Sequence, residues 1–187
     1  MSAVAAYRLN ILGLAGAAFA LFFAFAWQIL YNELPCPLCM LQRAGFAAAG
    51  VGLLLNVRFG EHPAHYGAAI LGAGVGAAAS LRQILLHIVP GSGAYGSPFL
   101  GYHFYTWAFI GQTALIAYCA ILMLMQWRRG AGEAAAPSED GWARWVSLAF
   151  VAAVALMLLA GFTECGVGPC PDNPVGYWLL GTGKMAD

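Results

Sequence analysis

Four of the five cysteines in this 187-residue chain come as two close pairs, and two arginines lie where packing alone would rarely keep them. The first pair reads Leu34-Pro35-Cys36-Pro37-Leu38-Cys39-Met40-Leu41-Gln42-Arg43. A Cys-x-x-Cys spacing is shared by redox sites and metal sites. Cys39 falls where an apolar helix should begin, so exposed backbone N–H groups and the helix dipole favour a thiolate there. Arg43 follows one turn later on the same helical face. It either supports that sulfur or is an interfacial arginine snorkelling to headgroups; the i,i+4 relation favours the first reading. The second pair reads Glu164-Cys165-Gly166-Val167-Gly168-Pro169-Cys170-Pro171-Asp172-Asn173-Pro174. Its two glycines and proline permit a tight reversal, and the flanking prolines and Asn173 suggest an extended, accessible tail. Four cysteines allow three pairings; adjacent pairing is assumed. Either small loop would staple the chain by only about 2 kcal/mol in the chain-entropy model, so redox work suits them better than bracing. Cys119, alone in an apolar run, reads as a small hydrophobe.

The elements that position these residues follow from composition. Hydrophobic residues make up 61% of the chain and charged residues 9%, against about 25% charged in soluble domains. Net charge is zero with no basic tract, which excludes nucleic acid as a partner. Mean hydropathy is +0.73. The chain therefore reads as an all-α integral membrane protein occupying residues 1–187 as one domain. A spanning helix needs about 20 apolar residues, and five segments approach or meet this: 9–31, 40–57, 66–89, 105–127 and 145–162, with 163–187 as a tail. No internal repeat or strand-like alternation is present. Residues 130–141 read as a small, acidic, disordered loop. The first span is too long for a signal-peptide h-region of about 7–15 residues, so it reads as an uncleaved anchor. Trp27, Tyr31, Tyr105, Trp107, Trp127, Trp142 and Trp145 lie at span ends, as interfacial aromatics do.

Arginine placement orients the bundle. With the N-terminus inside, cytoplasmic flanks hold Arg8, Arg58, Arg128, Arg129 and Arg144, whereas the outer loops and tail hold only Lys184; the positive-inside rule favours this arrangement. Five spans then place both cysteine pairs outside, where thiols tend to be oxidised. Arg82 is expected roughly 10 Å deep in the third span, at 1.5 Å per residue, and no Asp or Glu lies within the spans as drawn to pair with it. An intramembrane charge is a functional-site hypothesis by default. Arg43 and Arg82, with Gln42 and Gln83 nearby, would suit an acceptor that gains negative charge, such as a quinone carbonyl. His87 either donates to such a site or sits at the interface, and His103 is equally open. His62 and His65 read as solvated on the cytoplasmic side.

Cys36-Pro37-Leu38-Cys39 with Arg43, on the outer edge of a helical membrane bundle, resembles the disulfide bond formation protein B family of bacterial inner-membrane thiol oxidases. Leu81-Arg82-Gln83 followed by Pro90, and Gly101-Tyr102-His103-Phe104-Tyr105-Thr106-Trp107-Ala108, support the resemblance, which runs over spans one to four. It implies four core transmembrane helices, here with a fifth C-terminal span. It also implies a quinone cofactor, ubiquinone or menaquinone, drawn from the membrane pool. Arg43, Arg82, His87 and Gln42 would be cofactor-binding. Cys36 and Cys39 would be the quinone-proximal catalytic pair, with Cys39 passing electrons to the quinone. Cys165 and Cys170 would be the catalytic pair reoxidising a periplasmic thioredoxin-like dithiol oxidase. Better-known members carry the second pair between spans three and four, whereas here that loop has no cysteine; topology returns the relocated pair to the same side. Three rivals remain at this point: a four-cysteine external metal site, a reductase running electrons outward, and a non-catalytic membrane subunit.

Overall fold

Residues 2–129 and 141–181 are described by the computed structural model. They form five long helices: α1 Ala3–Tyr31, α2 Pro37–Phe59, α3 Pro63–Leu86, α4 Phe104–Arg129 and α5 Gly141–Cys165. Each is long and apolar enough to cross a membrane, so this is an all-α, multi-pass membrane architecture. The only strand-like feature among the described residues is an isolated bridge between Phe99 and Tyr102. Sequence punctuation sets the ends. Ser2 caps α1 by accepting from the Ala5 N–H at 3.2 Å, and Asn32 ends it in the left-handed region at φ 52°. Pro37 and Pro63 open α2 and α3, where a missing N–H costs nothing.

Helix ends differ from the hydropathy reading in a way that matters later. The third span stops at Leu86 rather than residue 89, which leaves Arg82 one turn from the helix end, about 6 Å. The fifth runs through Cys165 instead of stopping at residue 162. Glu164 is therefore a helical residue of a spanning segment, a position the composition-based boundary had assigned to the tail. Of the expected loop 130–141, residues 130–140 lie outside the described residues, as does Lys184; Gly141 begins α5.

Without a hydrophobic drive between helices in lipid, close packing needs small residues. The α2–α3 seam shows it: a Cβ built on Gly45 would lie 2.6 Å from Gly76 Cα, and one on Gly52 would lie 2.5 Å from the His65 carbonyl. Helix α4 packs on α3, and α5 packs on α1 and α2, with Phe150 seated over Gly50. By contrast, α1 and α4 hardly touch, and a slot opens between them. Trp127, Trp142 and Trp145 are exposed at the end holding Arg58, Arg128 and Arg144, as an interfacial belt requires. At this end His65 is not simply solvated. It is half-buried, and its ring lies 3.0 Å from Asn56 Oδ1, within a buried network in which Asn10 and Tyr66 also bond Glu61. His62 is exposed and caps α3 by accepting from the Ala64 N–H.

Overpacking a closed seam costs about 1–3 kcal/mol. Gly45→Val is therefore expected to lower the apparent unfolding temperature of detergent-solubilised protein, whereas Gly67→Ala, where an added Cβ meets nothing within 4 Å, should leave it nearly unchanged. Equal shifts for both variants would contradict the seam.

Candidate redox site

The first cysteine pair is built into a helix start. Cys36 is the N-cap of α2, and its sulfur accepts from the Cys39 N–H at 3.1 Å. Pro37 presets the first helical residue. The two cysteines form a disulfide. Gln83 of α3 presents its amide nitrogen to both sulfurs, at 3.4 Å from Cys36 Sγ and 3.8 Å from Cys39 Sγ. Its carbonyl oxygen accepts from Gln42 at 2.6 Å, which fixes the amide's orientation. Gln42 is in turn held where Gln112 of α4 donates to its backbone carbonyl. Helix-start N–H groups and an aimed amide donor stabilise negative charge developing on these sulfurs.

Cys39, Gln42, Arg43 and Gln83 line one end of the α1–α4 slot, a cavity of about 610 Å³. Its other walls are aromatic and aliphatic, including Phe23, Phe46, Phe104 and Leu115. Arg43 does not snorkel. Its guanidinium donates to Gln28 Oε1 at 2.7 Å and to the Ala24 carbonyl at 3.2 Å, so it turns toward α1 across the cavity end. Gln83, not Arg43, makes the hydrogen bonds to the sulfurs. The same Gln28 donates to the Tyr177 hydroxyl at 3.1 Å.

That last contact shows that the tail is folded, not extended. Cys165 and Cys170 form a disulfide. Trp178 lies over Gly166, where an added Cβ would be 2.5 Å from the ring, and Gly166 adopts φ +63°, a conformation glycine supplies without strain. Cys165 is 8% exposed, whereas Cys170 is more open. Both pairs occupy one end of the bundle: Met40, beside Cys39, lies against Gly161, one turn before Cys165. Glu164 is 2% exposed, and neither carboxylate oxygen accepts a hydrogen bond, although its charge interacts with Arg43 and Tyr95.

Of the residues singled out from sequence, Cys36, Cys39, Gln42 and Arg43 converge. Arg82 does not: its side chain is exposed on α3 and absent from the cavity wall, because its neighbour Gln83 takes the inward face. His87 is half-buried and stacks on Tyr105 at 5.6 Å; Tyr105 lines the cavity but His87 does not. Tyr105 is also stacked by His103. Trp27, Tyr105 and Trp107 face the cavity as well as marking span ends. Cys119 is fully buried. The site residues that sequence reasoning passed over are Gln28, Tyr95, Glu164 and Tyr177. Gln28 and Glu164 were visible as polar residues within or beside apolar runs; Tyr95 and Tyr177 carried no signal. For a four-cysteine metal site, the sulfurs would have to be thiolates, and here they are paired. Among the described residues no group of three or more His, Cys, Asp or Glu side chains converges as ligands.

Residues 6–96 match the family model described as Disulfide bond formation protein DsbB. No curated protein and no solved structure matches the chain. The matched stretch covers α1 to α3 with the first cysteine pair; α4, α5 and the second pair follow it.

The match ends within the 87–103 connection, whose Tyr95, Gly96 and Phe99 line the cysteine end of the cavity. Glu33 accepts from the Ser97 N–H and hydroxyl and from Trp27, and the Tyr95 hydroxyl donates to the Leu34 carbonyl at 2.6 Å. Burial, then the Glu164 and Glu33 carboxylates, push the Tyr95 hydroxyl up to about 12, against the opposing pull of Arg43. Because the folded state holds this proton longer than the unfolded chain, its contribution to stability is complete below about pH 10, the ordinary tyrosine value. It is lost as pH rises toward 12. Tyrosinate absorbance of the folded protein should show a late-ionising fraction that Tyr95→Phe diminishes by one tyrosine; an unchanged late fraction in Tyr95→Phe would mean the connection does not close there.

Proposed function

We propose, for a chain that over residues 6–96 belongs to the disulfide bond formation protein DsbB family, that it is a membrane thiol oxidase that reoxidises a periplasmic thioredoxin-like dithiol oxidase and delivers the electrons to a quinone. The observation that carries this reading is the shared wall of Cys39 and a large apolar slot whose polar groups gather at the cysteine end. The residues fit a quinone. Gln42, Arg43 and Gln83 would hold its polar head, and the α1–α4 slot would take its apolar chain. When bound, the quinone supplies a two-electron acceptor for the Cys36–Cys39 pair. Arg82 and His87 stand outside this set. The arginines Arg8, Arg58, Arg128 and Arg144 share one end of the bundle and the cysteine pairs share the other, which supports a cytoplasmic N-terminus and periplasmic pairs in a bacterial inner membrane.

The chain's own residues account for the thiol steps. Cys170 is the more exposed residue of its pair, so the partner's thiolate attacks there, forming a mixed disulfide and releasing Cys165. The partner's second thiol resolves the mixed disulfide, leaving Cys165 and Cys170 reduced. Cys165, on the last turn of α5 beside the start of α2, then attacks Cys36. Cys39 leaves as a thiolate at the first turn of α2, where N–H groups and Gln83 accommodate its charge. Attack of Cys170 on Cys165 closes the outer disulfide again and completes reduction of Cys36 and Cys39.

Oxidised protein mixed with a reduced thioredoxin-fold dithiol and a soluble quinone should bleach the quinone, one equivalent per dithiol. Cys39→Ser should abolish bleaching. Arg43→Gln, which loses charged hydrogen bonds worth about 1.5–3 kcal/mol, should raise the KM for quinone at least about tenfold, whereas Arg82→Gln should change it little. Quinone reduction that survives Cys39→Ser, or electrons running only from quinol to the dithiol, would overturn the reading.

A further inference from the structure

Glu164 is the group in this end of the bundle that the thiol chemistry above leaves unused, and its setting is unusual. It is 2% exposed, both carboxylate oxygens are buried, and neither accepts a hydrogen bond. Glu33, the other carboxylate nearby, is committed to Ser97 and Trp27. Leaving a buried carboxylate unanswered is costly, so a position that keeps one has to use it. The surroundings indicate how. On one side Glu164 is the chain neighbour of Cys165. On the other its charge interacts with Arg43 of α2 and with Tyr95 of the α3–α4 connection. Arg43 shares the cavity wall with Cys39. The buried carboxylate thus belongs to the end of the bundle that holds both disulfides.

We propose that Glu164 is the proton acceptor for Cys165 when electrons pass from the outer cysteine pair to the inner one. This rests on the exchange order given above. Cys165 as a thiol cannot attack; it must first lose its proton. That proton moves to the Glu164 carboxylate as the Cys165–Cys36 bond forms and the Cys36–Cys39 bond breaks, with Cys39 leaving as a thiolate. In the second exchange the Cys165–Cys170 bond forms, the Cys165–Cys36 bond breaks, and the Cys170 proton goes to Cys36. Two electrons have then moved inward, one proton sits on Glu164, and one sits on Cys36. A carboxylate suits the role because the neutral acid, once formed, no longer opposes the thiolate at Cys39 and leaves Arg43 free to face it. Arg43 and Tyr95 are the charged and titratable groups whose charges interact with Glu164, and the Tyr177 hydroxyl interacts with Arg43; α1 brings the uncharged Gln28 amide and Ala24 carbonyl to this cluster.

The test needs no quinone. Oxidised protein in detergent receives one equivalent of a reduced thioredoxin-fold dithiol. Samples are acid-quenched over time, alkylated, and mapped by mass spectrometry for the reduced pair. Wild type is expected to show label first at Cys165 and Cys170, then at Cys36 and Cys39. In Glu164→Gln the first phase should be unchanged and the second slowed about a hundredfold, the scale of a lost general base. The rise of that second phase with pH should also flatten, and Glu164→Asp should recover most of it. A purely structural role would instead alter both phases and leave the pH profile of the second in place. Wild-type rate and pH profile in Glu164→Gln would overturn the proposal. A wild-type protein in which label never reaches Cys36 and Cys39 would overturn the exchange order itself.

Discussion

A guanidinium inside a membrane bundle has to be answered by protein, because lipid offers it neither hydrogen bonds nor counter-charge. Arg43 is answered from several directions. Gln28 and the Ala24 carbonyl of α1 accept its protons, and Glu164 at the end of α5 supplies opposite charge without touching it. Through Gln28 the arrangement reaches Tyr177, and so ties down the tail that carries the second disulfide. One half-buried cation thereby links α1, α2, α5 and the tail. It does so at the end of the bundle where both disulfides lie.

The cavity depends on an imbalance in helix packing. The α2–α3 seam closes through glycine and alanine at backbone contact, which holds Gln83 against the Cys36–Cys39 pair. Helices α1 and α4 are left almost unpacked against each other, and aromatic side chains line the space instead of filling it. A tight seam on one side and an open slot on the other place the Cys36–Cys39 disulfide at the head of an apolar channel. The fifth helix packs on α1 and α2 rather than on α3 and α4, which brings Cys165 to the corner of the bundle where α2 begins.

Much of this was readable from residue order. Long apolar runs correspond to the five helices with ends displaced by up to six residues, the most at the start of α1, and Cys-Pro-x-Cys at a helix start carried its own capping and turn chemistry. Boundaries were less legible at α3 and α5, where apolar residues continue past the helix or polar ones lie within it. Hydropathy counts composition, whereas a helix end is set by which backbone groups find partners; Glu164 was misplaced for that reason. Arg82 and Gln83 show a second limit. Both are polar and adjacent, and periodicity alone did not say which faced inward; the packing of α3 on α2 turned Gln83 to the sulfurs and Arg82 to the surface.

Composition, span length and arginine asymmetry by themselves determined an all-helical membrane chain with both cysteine pairs on one side, since these depend only on transfer energies and local spacing. Tertiary structure alone decided which polar residues meet. Gln28, Tyr177 and Arg43 are brought together from positions far apart in the chain, and Gln83 reaches sulfurs 44 and 47 residues away. Such contacts follow from how helices pack and rotate about their axes, information that no local pattern contains.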